Sequence, residues 1–233
     1  PLGSGERVRD QQMLAFELPE QRACIGLSIP SYEHQALMDL INRNTGRREF
    51  EEKRGFARYC AAQNLPTVAV LAESNGREVV QCRPLPAGDL MLKPSDLWGG
   101  RGVCALPFDS DRGCWTGAKG ESLTATDVPA YAGRVQAGHP WILQPRLRNG
   151  PAWACGSSGA LCTVRVVTAR EAPGSPVEIL GGFMRFPQGN AIVDNRTAGA
   201  ISADYDRESG RLGPARALAC PRIALHAQPD TPT

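Results

Sequence analysis

A chain of 233 residues with a 42% apolar share can bury a real core, as one domain of two lobes or two small domains, which excludes a disordered tail. Its 26 basic and 24 acidic side chains leave a formal charge of +2, and no run of Lys and Arg alternates with aromatics, so a nucleic-acid partner is not expected. The longest apolar runs, such as 67–72 and 164–168, fall far below the roughly 20 residues that cross a bilayer, so no membrane partner is expected either.

The opening Pro1-Leu2-Gly3-Ser4 reads as the scar of a cleaved tag, and residues 1–5 are set aside; no charged segment followed by an apolar stretch marks a secretory signal. Eight cysteines are scattered without a C-x-x-C pair, and only three histidines could join them, so zinc is not expected. Most sit in apolar stretches such as Tyr59-Cys60-Ala61, where a reduced thiol acts as a small hydrophobe. A reducing, cytoplasmic setting fits that usage.

In chain order, Ala36, Leu37, Leu40 and Ile41 fall at helical spacing between Ser31, a possible N-cap, and Gly46, which predicts an amphipathic helix over 32–43. A second helix is expected over 50–63, with Phe56, Tyr59 and Cys60 on one face and a stop before Asn64-Leu65-Pro66. The β-branched run 67–72, the turn residues Ser74-Asn75-Gly76 and the extended 78–81 predict a hairpin. Residues 89–94 read as a short strand ended by proline, followed by the glycine-rich Trp98-Gly99-Gly100-Arg101-Gly102-Val103. The glycine-bearing 111–120 reads as loop or hairpin, 126–136 as a short helix begun by Asp127, and 141–144 as a strand. Strands over 161–168 and 179–186, joined by a turn at 170–176, complete an α+β class with mostly antiparallel pairing. Residues 204–210 read as a solvated hairpin end, and 228–233 should fray.

The stretch Leu92-Lys93-Pro94 to Gly99-Gly100-Arg101-Gly102 carries the most chemistry. A lysine at a strand end supplies a fixed positive charge, and a glycine loop lets backbone N–H groups approach phosphate oxygens unobstructed. It is neither a P-loop nor a GxGxxG fingerprint, and by itself a solvated turn with a surface lysine explains it equally well. Arg165 interrupts an apolar strand, with Val164 and Val166 pointing to one face and Arg165 and Val167 to the other. A guanidinium there suits a phosphate, with a structural ion pair or an exposed sheet face as the plain alternative. Arg185, in Phe183-Met184-Arg185-Phe186, repeats the arrangement on the next strand, and two arginines lining one cleft favour an anion.

The succession of Lys53, Lys93 with its glycine loop, Gln144-Pro145-Arg146-Leu147, Thr163 to Thr168, Met184-Arg185 and Asp194-Asn195 with Gly199 resembles the ATP-grasp family, most closely its bacterial branch associated with sugar transfer, over about residues 50–230. The resemblance implies an ATP-grasp fold: two α/β lobes clasping ATP, one over 51–140 and an incomplete second over 141–233, preceded by a helical segment at 6–50. It implies that Lys53 and Lys93 contact the phosphates, with Lys93 closest to the α-phosphate or adenine N7, and that Gly99, Gly100 and Gly102 form a lid. Gln144, Pro145, Arg146 and Leu147 would be the hinge that reads adenine through the backbone. The family usually has a glutamate where Pro145 stands, and proline can offer only its carbonyl. Arg165 and Arg185 would act in catalysis on the γ-phosphate or acyl phosphate, and Asp194 with Asn195 would hold Mg2+ or orient a ligand. A solvated helix cation at Lys53 and ordinary turns at the glycines and at Asp194 remain the plain alternatives.

The activity implied is an ATP- and Mg2+-dependent ligase that activates a small-molecule carboxylate as an acyl phosphate for an amine or similar nucleophile. A phosphotransferase acting on a sugar-like acceptor and a non-catalytic nucleotide- or anion-binding module are the alternatives. Family members normally continue to an aspartate strand and a Glu-x-Asn pair that bind two magnesium ions; neither follows here, which is expected to reflect a missing C-terminal piece.

Overall fold

A computed structural model of the chain describes residues 40, 52–153, 159–172, 174–195 and 199–217. The expected helix over 32–43 lies outside these residues except for Leu40, which is helical and exposed, as do the 6–50 segment otherwise and the 228–233 tail. Two compact units are found, a first comprising Thr45–Arg148 and a second comprising Pro1–Asn44 with Asn149–Thr233. The division thus falls after Arg148 and not at the 140/141 boundary expected for two lobes, because the strand at 141–145 is central to the first unit's sheet.

The first unit begins with helix α1 (Lys53–Ala62). It stops at Asn64, whose φ of 54° is left-handed; Asn64 N–H donates to the Ala61 carbonyl (3.3 Å) and Leu65 N–H to that of Cys60 (2.8 Å), a Schellman closure with Asn in the glycine position. The buried stripe is Ala57 and Cys60, while Phe56, expected on the same face, is exposed; it precedes Ala57 by one residue, about 100° around a helix of 3.6 residues per turn.

Strands β1 (Ala72–Ser74), β2 (Val79–Gln81), β3 (Leu90–Pro94), β4 (Cys104–Leu106) and β8 (Trp141–Pro145) form a sheet in the order β2-β1-β8-β3-β4. Between β4 and β8 the chain makes a small sheet, β5 (Phe108–Asp109), β6 (Cys114–Thr116) and β7 (Ser122–Leu123), and then helix α2 (Asp127–Val135). Period-two alternation assigns the faces of the large sheet. Leu90, Leu92, Leu143, Trp141 and Ala72 point to one side and pack under Val128, Tyr131 and Ala132 of α2 with Trp115 and Leu123 of the small sheet. Each fully buried leucine or valine among them contributes about 1.5–3 kcal/mol. Met91, Lys93, Ile142, Gln144 and Glu73 share the other face by register. There α1 packs on β8, and its Arg54 and Arg58 pair with Glu73.

In the second unit, β9 (Thr163–Ala169), β10 (Glu178–Phe186) and β11 (Ile201–Asp204) make a sheet in the order β11-β10-β9. Its core side carries Met184, Phe186, Ile201 and Ala203 with Ala215. A bulge between Ile179 and Gly181 adjusts the β9–β10 register. Every strand pairing among the described residues is antiparallel, and two α-helices accompany eleven strands, so the class is α+β. No described helix is long and apolar enough to cross a membrane.

Candidate functional site

Candidate residues gather in two places, one in each unit. In the first, the segment following β3 and the N-terminus of α1 are fastened together. Ser95, fully buried, accepts from Arg54 N–H through its Oγ (3.1 Å), its carbonyl accepts from Lys53 N–H (3.2 Å), and its hydroxyl donates to Glu52 Oε1 (3.0 Å). Glu52, the N-cap residue, makes no side-chain capping bond, so Ser95 caps the helix from another element.

This attachment sets Lys53 beside the end of β3, where its Nζ donates to the carbonyls of Pro94 (2.8 Å) and Leu97 (2.6 Å). Lys93, one residue before Pro94, donates to Gln144 Oε1 (3.1 Å), and the same amide donates from Nε2 to the Val68 carbonyl (3.0 Å). Burial pushes the Lys93 ammonium pKa below its ordinary value, and the charge of Lys53 pushes it further. Burial also lowers that of Lys53, against an opposing pull from Asp96. Lys53, Lys93 and Gln144 are therefore one cluster, although 40 and 51 positions separate them in the chain. Neither lysine has a carboxylate within ion-pair distance among the described residues.

The glycine stretch runs from this cluster to β4. Gly99, Gly100 and Gly102 have φ of 70°, 76° and 68°, a region where a side chain is strained. They differ in surroundings. A Cβ on Gly102 would meet Pro94 Cγ at 3.0 Å, and the Gly102 carbonyl accepts from Gln136 Nε2 at 2.6 Å, whereas a Cβ on Gly99 would meet nothing within 4 Å. Gly102 is thus anchored by the buried Gln136, and the open part of the loop is its tip, with Trp98 74% exposed.

In the expected hinge, Pro145 lies in the ladder opposite Leu90 and Leu147 is exposed. Arg146 is tied to Asp89: its N–H donates to the Asp89 carbonyl (2.8 Å) and its guanidinium lies 3.6 Å from the carboxylate, which Arg148 also contacts at 2.5 Å. The segment 145–148 is held by Asp89, a residue the sequence did not single out.

In the second unit, pairing places Arg165 opposite Phe183 and Thr163 opposite Arg185, so both arginines are on one sheet face, away from Met184 and Phe186. Arg165 is exposed along with most of β9, the sheet-face position that was its plain alternative. Arg185 is largely buried and lies 3.8 Å from Asp194, whose carboxylate accepts from the Thr163 hydroxyl. Asn195 follows, its carbonyl accepting from Ala200 N–H at 3.3 Å. The register therefore brings Arg165, Arg185 and Asp194 onto the same face.

Asp194 is as buried as Arg185 and already engaged by a guanidinium and a hydroxyl. No group of three or more His, Cys, Asp or Glu that could hold a metal ion is found among the described residues. Compared with protein-family models, with curated proteins and with solved structures, the chain matches none.

Proposed function

We propose that the chain is an ATP-binding module of ATP-grasp type, in a ligase that activates a small-molecule carboxylate as an acyl phosphate for an amine or similar nucleophile. The observation that carries this reading is Lys93: a largely buried ammonium whose charged neighbour is a second lysine and whose hydrogen-bond acceptor is a neutral amide. Two cations held together in a partly desolvated place raise each other's energy, and an anion is what relieves them. The glycine loop beside them, with an unobstructed tip at Gly99, suits a phosphate chain in particular.

In the reaction proposed, a carboxylate oxygen attacks the γ-phosphorus, the bond to the β–γ bridging oxygen breaks, and ADP departs. The amine then adds to the acyl carbon and phosphate leaves. Arg165 and Arg185 would offset the charge spread over the transferred group, since guanidiniums keep their charge at any working pH. Mg2+ would enter with the nucleotide, and no step is assigned to a magnesium site of the described residues.

Thermal-shift titration tests the reading. With ATP and Mg2+ at a hundredfold excess over Kd, stabilisation of about 2.7 kcal/mol is expected, and an unchanged melting temperature at millimolar nucleotide would refute it. Carboxylate-dependent release of ADP distinguishes the ligase from phosphotransfer to a sugar-like acceptor. A non-catalytic nucleotide- or anion-binding module is a second reading, favoured by the commitment of Asp194 to Arg185 and Thr163. Tight ATP binding without any turnover would decide for it.

A further inference from the structure

The arginine face of the second unit extends past the residues the sequence singles out. Ser202 in β11 pairs with Arg185 in β10 and also bridges to Arg216, with backbone bonds of 2.8 and 2.7 Å between them. Directly paired residues of antiparallel strands share a face. Thr163, Arg185, Ser202 and Arg216 therefore form one row across the sheet, and Arg165 lies in the neighbouring row on the same side. At 4.7–4.9 Å per strand, the backbones at Arg185 and Arg216 stand about 10 Å apart, near enough for two long side chains to approach one tetrahedral group from opposite sides.

The environment of Arg216 does not explain it as a structural residue. Its Nε is withdrawn from solvent and has no hydrogen-bond partner, and no carboxylate among the described residues lies within ion-pair distance of it. A buried donor left unmade costs about 1–3 kcal/mol, and a guanidinium cannot escape by losing its proton. Three guanidiniums share this face with three carboxylates: Asp194, which is engaged by Arg185, the exposed Asp204, and the exposed Glu178 at the far end of β10, paired with Ala169.

We propose that Arg216 is a third anion-contacting residue, and that with Arg165 and Arg185 it makes this face of the β9–β11 sheet a receptor for phosphate oxyanions. The inference rests on the proposed function only for the source of the phosphate, a nucleotide's phosphate chain. The receptor itself follows from the register and from the unmet donor.

The test uses the whole chain and inorganic tripolyphosphate, which carries the phosphate chain without the base, titrated by calorimetry at fixed ionic strength. Arg216→Gln is expected to weaken binding about tenfold, the equivalent of about 1.4 kcal/mol, and Arg216→Lys, which keeps the charge but loses the planar fork, about threefold. Tripolyphosphate affinity unchanged within twofold in a folded Arg216→Gln variant would overturn the proposal. If that variant does not fold, Arg216→Lys matching the wild type overturns it instead.

Parallel titration with ATP and orthophosphate separates the two ideas. Arg216-dependent tripolyphosphate binding with no gain from the adenosine of ATP would sustain the receptor and remove the nucleotide reading. ATP binding that is identical in wild type and Arg216→Gln would sustain the nucleotide reading and remove the receptor. Orthophosphate binding as strongly as tripolyphosphate, and with the same dependence on Arg216, would support a free or substrate-borne phosphate as the source.

Discussion

The lysine cluster of the first unit and the arginine face of the second handle positive charge in opposite ways. Lys53 and Lys93 are drawn into the protein, fed with carbonyls and an amide oxygen, and depressed in pKa. Arg165 is left in solvent, while the more buried Arg185 has a carboxylate beside it. A lysine can tolerate desolvation because it can give up its proton, whereas an arginine has to be solvated, paired or supplied with an anion. Arg216, partly buried, has an Nε without solvent contact or partner and no carboxylate among the described residues within ion-pair distance.

The largest difference between the units should be in stability. Leu92, fully buried beneath α2, should lose about 2–5 kcal/mol on Leu92→Ala, while Val166→Ala on the exposed β9 should lose under about 1 kcal/mol; urea denaturation measures both. Equal losses would mean that β9 is as closed as the first sheet.

Lys93→Met sharpens the contrast in charge. It should weaken ATP binding by about tenfold or more while leaving the protein at least as stable near neutral pH, since a desolvated charge repelled by Lys53 is removed. The pH dependence has a definite sign. Because the folded-state pKa of Lys93 lies below 10.5, the native state binds fewer protons than the unfolded state between the lowered value and 10.5. The contribution of this group to stability therefore increases as pH rises through that window, and the slope should diminish in Lys93→Met. An anion placed beside the lysines raises their pKa again, so ATP binding at alkaline pH should take up protons, detectable by calorimetry in buffers of different ionisation enthalpy.

In the glycine loop, Gly102→Ala should destabilise by about 1–2 kcal/mol through its left-handed φ and its approach to Pro94, and Gly99→Ala by about 1 kcal/mol or less, from strain alone. Equal melting temperatures for the two variants would indicate that the Gln136 tether does not hold. The smallest expected effect is on stability in Arg165→Ala, within about 0.5 kcal/mol, together with a clear loss of tripolyphosphate affinity. A strong loss of stability would reveal a structural role for Arg165.

Much of the local structure was legible because it depends on short-range chemistry. The strand ending at Pro94, the Asn75-Gly76 turn and the helix begun at Asp127 all stand where turn and breaker residues put them. The Asn75 side chain fixes that turn, its Oδ1 accepting from the N–H groups of Arg77 and Glu78, both at 2.9 Å. Only the first strand of that hairpin departs from expectation. The β-branched run 67–72 is not itself the strand; β1 is Ala72–Ser74, because its length is set by β2 and β8, which pair with it on either side. The small sheet over 108–123, where the sequence shows only the loop or hairpin of 111–120 that β5 and β6 realise, consists of strands too short to show a period, and β11 is not legible for the same reason.

The sequence by itself determined the α+β class, the longer strands and the residue types of both clusters, since these follow from propensity, alternation and the glycines and prolines between elements. Only the tertiary structure decided that Ser95 caps α1 and so seats Lys53 beside Lys93, that Gln144 joins them, and that Arg216 falls in line with Arg185. Those outcomes are pairings between residues far apart in sequence. No local preference encodes such a pairing, because its energy exists only once both partners have been brought to the same place.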